Sequence, residues 1–585
     1  MANKVIAVVG ARLNSSRLPR KHLLPLAGEP LIAHIFHRLA AVPGLDKAVL
    51  ATTADSYNQD LVSWAAAADV ACYAHEGDVN DLMGRVDAVV RREEADMVLY
   101  VCGDSPLIEP VTLQGLINTL KQDESADLVQ LAAHENDGVP IHCGFDLYRR
   151  SFWDQMMMAA TEPFEREHVG AVSRHSGKVK PRSIAFFQDD PAYARIGHRI
   201  SVDTGQDYKF MKQIYADWYS QHDQKEPVDL LWVIDRLLSE PELRAINADV
   251  HQRRPEEVPP HVTLLTEAGP DIGLGHLVRT CVAASSLQTY LGAKVHVVVR
   301  GTPVDFEDLS LLPHSWVEDF SGEEGRLGES DSVILDLKAV DADCETLLRN
   351  LPASTVKVGI DFPLDHAGLV DLCWMPSIHV PEAVQKHFGD KLAYGPDCFL
   401  LRPTPKPYRA KHEGKSVLVL TGGSDPAHLS ETLPAKLLAA IPQDVRIDWV
   451  QGPYADPPVL PGEGVPLTRW RTLKAPDNLN ELLAGYDAVL CVYGVSFYEC
   501  QQAGVPTVVF DAIGAAKPDE WKVVSDMFPS LAVQDVEAAV DRTVSLLVED
   551  NSRHDLTLAD RLKQAPEHFA RKVAALIAER GKQDA

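Results

Sequence analysis

The sequence predicts an α/β protein of more than one domain, built on largely parallel sheets. Three observations predict it. Short apolar runs alternate with segments of helical period over the first 220 residues and again after residue 261. Loops rich in glycine and charge follow several of those runs, where open parallel sheets bind ligands. The 585 residues exceed one ordinary core, and a polar, proline-punctuated stretch interrupts them near residue 250.

The first element is the apolar run Val5–Val9, a buried strand. Behind it, residues 10–28 read GARLNSSRLPRKHLLPLAG, with Gly10 at the strand end and Arg12, Arg17 and Lys21 in one loop. Backbone N–H groups and fixed cations of this kind can cradle a polyphosphate. The loop is neither a dinucleotide G-x-G-x-x-G nor a P-loop, and a solvated basic surface is the bland alternative.

Further strands are expected at Ala48–Thr53, Met97–Cys102 and Asp127–Leu131, with helices over Leu31–Leu39 and Leu82–Arg91. His34 and His37, one turn apart in the first of these helices, read as an exposed face rather than a metal site. Asp104 emerges in Gly103-Asp104-Ser105-Pro106 just past a buried strand, and Asp203 follows the short apolar stretch Ile200–Val202, read as another strand. Two carboxylates brought together from strand ends suit Mg²⁺, a hard cation that takes oxygen ligands and substrate phosphates. Taken singly, each aspartate fits a turn or a helix cap equally well.

Composition narrows the classes. With 84 acidic and 56 basic side chains the formal charge is −28, which opposes general affinity for nucleic acid or anionic membrane. No run of about twenty apolar residues suggests a membrane span. Nine scattered cysteines without a C-x-x-C favour reduced thiols, and hence a cytoplasmic location, over a disulfide framework or structural zinc.

The segments Ala11-Arg12, Ser16-Arg17-Leu18-Pro19-Arg20-Lys21, Gly103–Ile108, Gly144-Phe145-Asp146, Arg166–Val169 and Val202-Asp203-Thr204 resemble, in order, the bacterial sugar-acid cytidylyltransferases, especially the spore-coat-polysaccharide branch. The resemblance spans roughly residues 4–250 and implies a nucleotidyltransferase (glycosyltransferase-A-like) domain with a parallel or mixed sheet. It further implies CTP and a 3-deoxy-2-keto sugar acid as substrates, with Gly10, Ala11, Ser16 and Gly103 near the nucleotide. Arg12, Arg17 and Lys21 would neutralise the triphosphate, and Asp104 and Asp203 would hold Mg²⁺. Two positions depart from the family: Arg20 stands where glycine is usual, and Gly84 where aspartate is usual.

Four parts are expected: residues 1–250, a linker at 251–260, and two lobes at 261–408 and 409–585. The second half opens on the strand Val262–Thr266, followed by a loop containing Gly273, Gly275 and His276. Glycines there permit close approach of backbone to ligand, and a helix start favours anions and a neutral imidazole. A histidine bonded to backbone is the structural alternative. Glycine turns also follow the apolar runs Ser416–Leu420 (Gly422, Gly423, Ser424) and Ala488–Val492 (Gly494, Ser496, Glu499), suggesting a nucleotide held between lobes.

Ile272–His276, Gly359-Ile360-Asp361, Leu400–Pro403, Gly422–Asp425 and Gly494-x-Ser496-x-x-Glu499 resemble the glycosyltransferase-B-like UDP-sugar hydrolase of the pseudaminic acid pathway. The resemblance implies His276 as the base that activates water. Gly423, Ser424, Gly494, Ser496 and Glu499 would contact UDP, with Glu499 on the ribose. Asp336 and Asp361 fall at strand ends, and Asp336-Leu337-Lys338 departs from the usual Asp-Ser-Tyr. Together the halves imply a bifunctional enzyme of nonulosonic acid synthesis, with a sugar-acid synthase as a possible partner. Two alternatives for the second half are a nucleotide-sugar glycosyltransferase and a non-catalytic binding or assembly module.

Overall fold

The computed structural model describes residues 3–133, 139–252, 257–269, 272–403, 414–462, 464–474, 476, 479–514, 516–548 and 556–583. The chain divides into two compact units, Met1–Val250 and His251–Ala585. Part of the predicted linker and the predicted boundary at 408/409 lie outside the described residues.

The first unit is built on a 7-stranded sheet in the order Ala71–His75, Lys47–Thr53, Val5–Gly10, Met97–Cys102, Phe145–Arg149, Leu128–Leu131, Ile184–Phe187. Phe145–Arg149 runs antiparallel to both of its neighbours, so the sheet is mixed. Val5–Gly10 is buried almost throughout because helices cover both of its faces, which is why the run reads as continuously apolar. On one side Ile6, Val8 and Val98 pack with Val86, Val89, Phe152 and Trp153 from the helices Leu82–Arg92 and Arg150–Ala159. Val5–Gly10 pairs on one side with Lys47–Thr53 and on the other with Met97–Cys102, placing Gly10 opposite Cys102. The loops after these two strands therefore meet where the strand order reverses, the position at which open α/β sheets bind ligands.

Two local readings are corrected. Ile200–Asp203 is not a strand: the Val202 N–H donates to the Asp104 carbonyl at 2.9 Å, and the next residue, Thr204, caps the helix Gly205–Tyr219. Its apolar residues anchor an irregular segment, and a helix cap sets the position of Asp203. His34 is buried rather than exposed, with Nε2 2.9 Å from the Leu26 carbonyl and its ring against Tyr215; His37 alone faces water. A polar group on the inner face of a helix is tolerated there because the Leu26 carbonyl satisfies it.

The second unit holds two parallel sheets. The first is 7-stranded: His314–Val317, Lys294–Gly301, His261–Ala268, Ser332–Asp336, Val356–Ile360, Leu372–Met375, Leu392–Tyr394. The second is 6-stranded: Trp470–Lys474, Arg446–Gln451, Ser416–Leu420, Ala488–Val492, Thr507–Phe510, Ala532–Val533. Each begins in the doubly wound order 3-2-1-4-5-6, counted along its own segment. Two such sheets in tandem make the glycosyltransferase-B-like arrangement. The last helix, Leu556–Gln583, ties them together. Leu558 and Leu562 join the core around the second sheet, while Phe569, Ala570 and Val573 join that of the first. Among the described residues no helix is long and apolar enough to cross a membrane.

Candidate active sites

In the first unit, loop 10–28 is pinned at both ends before it reaches the site. The Leu13 N–H donates to Oδ1 of buried Asn58 at 2.7 Å, and the Arg20 N–H donates to the Leu13 carbonyl at 2.9 Å. Arg20 adopts a left-handed conformation, φ 56°, which places Lys21 at the head of a single helical turn, Lys21–Leu23. Glycine enters that region without the Cβ penalty, so the residue usual at this position in the similar family has a physical reason. Arginine here pays the strain and reaches Asp60 across the surface, 2.6 Å away.

The turn buries Lys21 between the two predicted carboxylates. Its Nζ donates to Asp104 Oδ2 and Asp203 Oδ1, each at 2.8 Å. Arg17 lies 3.0 Å from the same Asp203 oxygen, and Arg199 grips the other. Burial by itself would lower the Lys21 pKa, but the two carboxylates more than reverse it and raise it. Burial likewise works to raise the Asp203 pKa; Lys21, Arg17 and Arg199 hold it well below the usual carboxylate range. The result is a cluster of three cations gathered around two strand- and cap-positioned carboxylates in a protein of strongly negative charge.

Arg12 turns the other way, donating to Asn80 Oδ1 at 2.7 Å and Glu167 Oε1 at 3.0 Å, and so links the loop to the opposite wall. On that wall Arg166 pairs with Asp81, whose other oxygen accepts the Gly84 N–H at 2.8 Å. A Cβ at Gly84 would stand 2.4 Å from Asp81 Oδ2 and 3.0 Å from Arg166. The Asp81–Arg166 pair thus fills the space that a side chain at 84 would need.

Gly103 is required by packing against backbone, and Gly10 lies close beneath the tip of the Leu82 side chain. A Cβ at Gly103 would meet the Gly10 carbonyl at 2.7 Å, and one at Gly10 would meet Leu82 at 2.9 Å. Their absence of side chains lets the two strand ends close on each other. Ala11 is buried beside them, and Ser16 stands exposed on the loop.

In the second unit a glycine loop and an uncapped helix start follow a strand twice. After His261–Ala268 the chain turns back so that the Gly273 N–H donates to the Gly269 carbonyl at 2.7 Å, with Gly273 at φ +83°. The helix Gly275–Leu291 then begins with no side-chain cap, leaving N–H groups for an anion. His276 in its first turn meets Asp336 from the end of the adjacent strand, Nδ1 to Oδ1 2.7 Å. Asp336 is fully buried and also accepts from Arg279 Nε at 2.6 Å. A carboxylate only accepts, so Nδ1 carries the proton and Nε2 offers a lone pair, as a general base requires. Asp361, exposed at the next strand end in left-handed backbone at φ 52°, lies 3.8 Å from Arg279.

In the second sheet, the loops after Ser416–Leu420 and Ala488–Val492 also meet at the reversal of strand order. Gly494 begins the helix Val495–Ala503, again without a side-chain cap. Unlike Gly10 and Gly103, glycines 273, 275, 423 and 494 face open space, since a Cβ at any of them would meet nothing within 4 Å. That is room a ligand can use. Glu499 is buried, and burial pushes its carboxyl up against the opposing pull of Arg402 and a bond with the Ser496 side chain. Ser424 is exposed on its loop.

Several participants went unassigned in the sequence. Arg279 lies three residues after His276 on one helix, a spacing that puts the two side chains on one face, whereas Arg199 reaches Asp203 from irregular backbone. Asn80 and Asp81 carry no such local signal, while Arg166 and Arg402 fall inside segments that carry the two resemblances without a role assigned to them. Asp104 and Asp203 are oxygen donors of the kind a hard divalent cation takes, and Asp203 stays ionised; the oxygens that face each other hold the Lys21 ammonium in this structure.

Residues 6–247 match the family model described as Cytidylyltransferase. Among curated relatives, a 3-deoxy-manno-octulosonate cytidylyltransferase of Maricaulis maris is 39% identical over 21% of this chain and 47% of its own length. A protein of the same description from Escherichia coli is 30% identical over 22% of this chain and 51% of its own. The chain thus spans about half the length of these relatives. Among solved structures, a cytidylyltransferase of Leptospira borgpetersenii is 20% identical, with TM-score 0.36, over 41% of this chain and 96% of its own. MurG of Acinetobacter baumannii is 14% identical, with TM-score 0.35, over 54% of this chain and 100% of its own. The strand order of each sheet, and not these distant likenesses, defines the folds.

Proposed function

We propose that the first unit is a cytidylyltransferase that couples CTP to a 3-deoxy-2-keto sugar acid, giving the CMP-sugar and pyrophosphate. The observation that carries this reading is the convergence of Lys21, Arg17, Asp104 and Asp203, inside the segment that matches the family model. The anomeric hydroxyl attacks the α-phosphorus, an O–P bond forms, and the bond to pyrophosphate breaks. Lys21 and Arg17, with Arg12 across the pocket, offset the triphosphate charge as it shifts to the leaving group. Asp104 and Asp203 would hold Mg²⁺, which screens the phosphate oxygens when bound. Pyrophosphate release from CTP with a panel of 3-deoxy-2-keto sugar acids tests the reading; release with none of them rejects it.

For the second unit we propose hydrolysis of a UDP-diacetamido-trideoxy sugar, on the strength of the His276–Asp336 pair beside an uncapped helix start. Water attacks the anomeric carbon and passes a proton to His276 Nε2; the bond to UDP breaks and UDP leaves. Gly423, Ser424, Gly494, Ser496 and Glu499 would bind the nucleotide. The two reactions belong to one route to a pseudaminic-like CMP-sugar acid, with a separate synthase acting between them. UDP release without any acceptor supports hydrolysis. Release only with an acceptor makes the unit a glycosyltransferase, and binding without turnover makes it an assembly module.

A further inference from the structure

The helix Leu31–Ala40 starts directly after the hairpin strand Glu29–Pro30. This junction gathers three groups that neither proposed reaction uses. One potential ligand atom from each of Glu29, His34 and His37 lies within 4.8 Å of the others. His34 and His37 stand one turn apart on one helix face, with ring centroids 6.3 Å apart. His37 Nδ1 is 3.4 Å from Glu29 Oε2, with these two side chains 63% and 50% exposed. His34 is buried beneath them. The cluster therefore has a fixed imidazole as its floor and two adjustable groups at a rim open to water.

One nitrogen of the floor imidazole is already engaged, which leaves the other for an ion. His34 Nε2 lies 2.9 Å from the Leu26 carbonyl, which can only accept, so Nε2 carries the proton and Nδ1 offers its lone pair. An imidazole oriented by a backbone carbonyl through its other nitrogen is the usual outer-shell support of a metal-binding histidine. Ligands about 2.0–2.2 Å from a tetrahedral ion stand roughly 3.4 Å apart, a closure that rotation of the exposed His37 and Glu29 side chains supplies.

We propose that Glu29, His34 and His37 bind one divalent transition-metal ion of the zinc class, with water completing the coordination. Two imidazoles and one carboxylate suit Zn²⁺, Co²⁺ or Ni²⁺ and do not suit Mg²⁺, which takes oxygen ligands. The site is distinct from the carboxylates at Lys21 yet connected to them through packing. The His34 ring centroid is 4.5 Å from that of Tyr215, whose hydroxyl donates to the carbonyl of Pro106 at 3.1 Å, two residues beyond Asp104. A bound ion would clip the helix to the hairpin that follows the catalytic loop.

The test uses the full chain, stripped with chelator and titrated with Zn²⁺ by calorimetry and with Co²⁺ by visible absorption. One Zn²⁺ equivalent is expected to bind in the presence of millimolar Mg²⁺. His37→Ala and Glu29→Gln, both at exposed positions, should each weaken that equivalent by at least about tenfold and reduce the Co²⁺ d–d bands. Asp104→Asn should leave the zinc isotherm unchanged, so failure of this site and failure of the cytidylyl site are separable. Isotherms identical in wild type and both variants, or displacement of Zn²⁺ by Mg²⁺, overturn the proposal.

Discussion

Lys21 and Asp104, 83 residues apart in sequence, meet with Nζ 2.8 Å from Oδ2, and the same ammonium holds Asp203 at an equal distance. The three groups form one paired unit, in which Arg17 and Arg199 supply the further positive charge on Asp203. Lys21→Met and Asp104→Asn should each lower CTP-dependent pyrophosphate release by at least about a hundredfold, the order seen on removing single electrostatic stabilisers. Near-normal release by either variant rejects the assignment.

The pH behaviour of that unit follows from its shifts. The lowered Asp203 pKa gives stability that is complete above about pH 4 and is lost as pH falls through its folded value. The raised Lys21 pKa gives stability that is complete below about pH 10 and is lost as pH rises through its folded value. The stability difference between wild type and Lys21→Met should therefore be flat from about pH 5 to 9. Denaturant unfolding across that range checks it, and a slope there contradicts the paired geometry.

Gly84→Asp places a side chain against the Asp81–Arg166 pair and brings a second carboxylate to one guanidinium. It should cost about 1–2 kcal/mol through the disturbed Asp81 cap, read by thermal unfolding of the first unit. The KM for the sugar acid should move more than that for CTP. Unchanged stability and unchanged acceptor KM would show that the pair does not shape the pocket.

His276→Ala should abolish most UDP release and leave CTP turnover intact, because the uncapped helix start and glycine loops remain. Asp336→Asn removes the charge that both His276 and half-buried Arg279 face, so it should lose UDP release and also destabilise the second unit by about 3 kcal/mol. Wild-type UDP release by His276→Ala makes the histidine a structural residue.

His296 is held low, at about 4, by burial and by the neighbouring Arg326 and His314. A histidine lowered in the folded state binds its proton more readily unfolded, so stability falls as pH drops from about 6.5 towards 4 and levels off below. His296→Gln should remove on the order of 1–2 kcal/mol of that acid sensitivity, allowing for its partial exposure. Unfolding midpoints at pH 7 and pH 4.5 measure the difference.

Much of the fold was legible locally. Val5–Gly10, Met97–Cys102, Ser416–Leu420 and Ala488–Val492 are apolar because both of their faces are covered, and a buried strand writes that condition into its own residues. The glycine and charged loops behind them were legible for the same reason, since tight turns and anion-binding helix starts demand particular residues in place. Ile200–Asp203 shows the limit: a short apolar stretch has the period of a strand, but its backbone bonds went to the Asp104 carbonyl and a helix cap. His34 shows it again, as polarity suggested exposure and a single carbonyl made burial acceptable. The partnerships were settled by tertiary structure alone. Lys21 meets Asp104, and His276 meets Asp336, because the first strand of each sheet lies beside the fourth. Strand order arises from the packing of whole layers, which no local pattern of residues records.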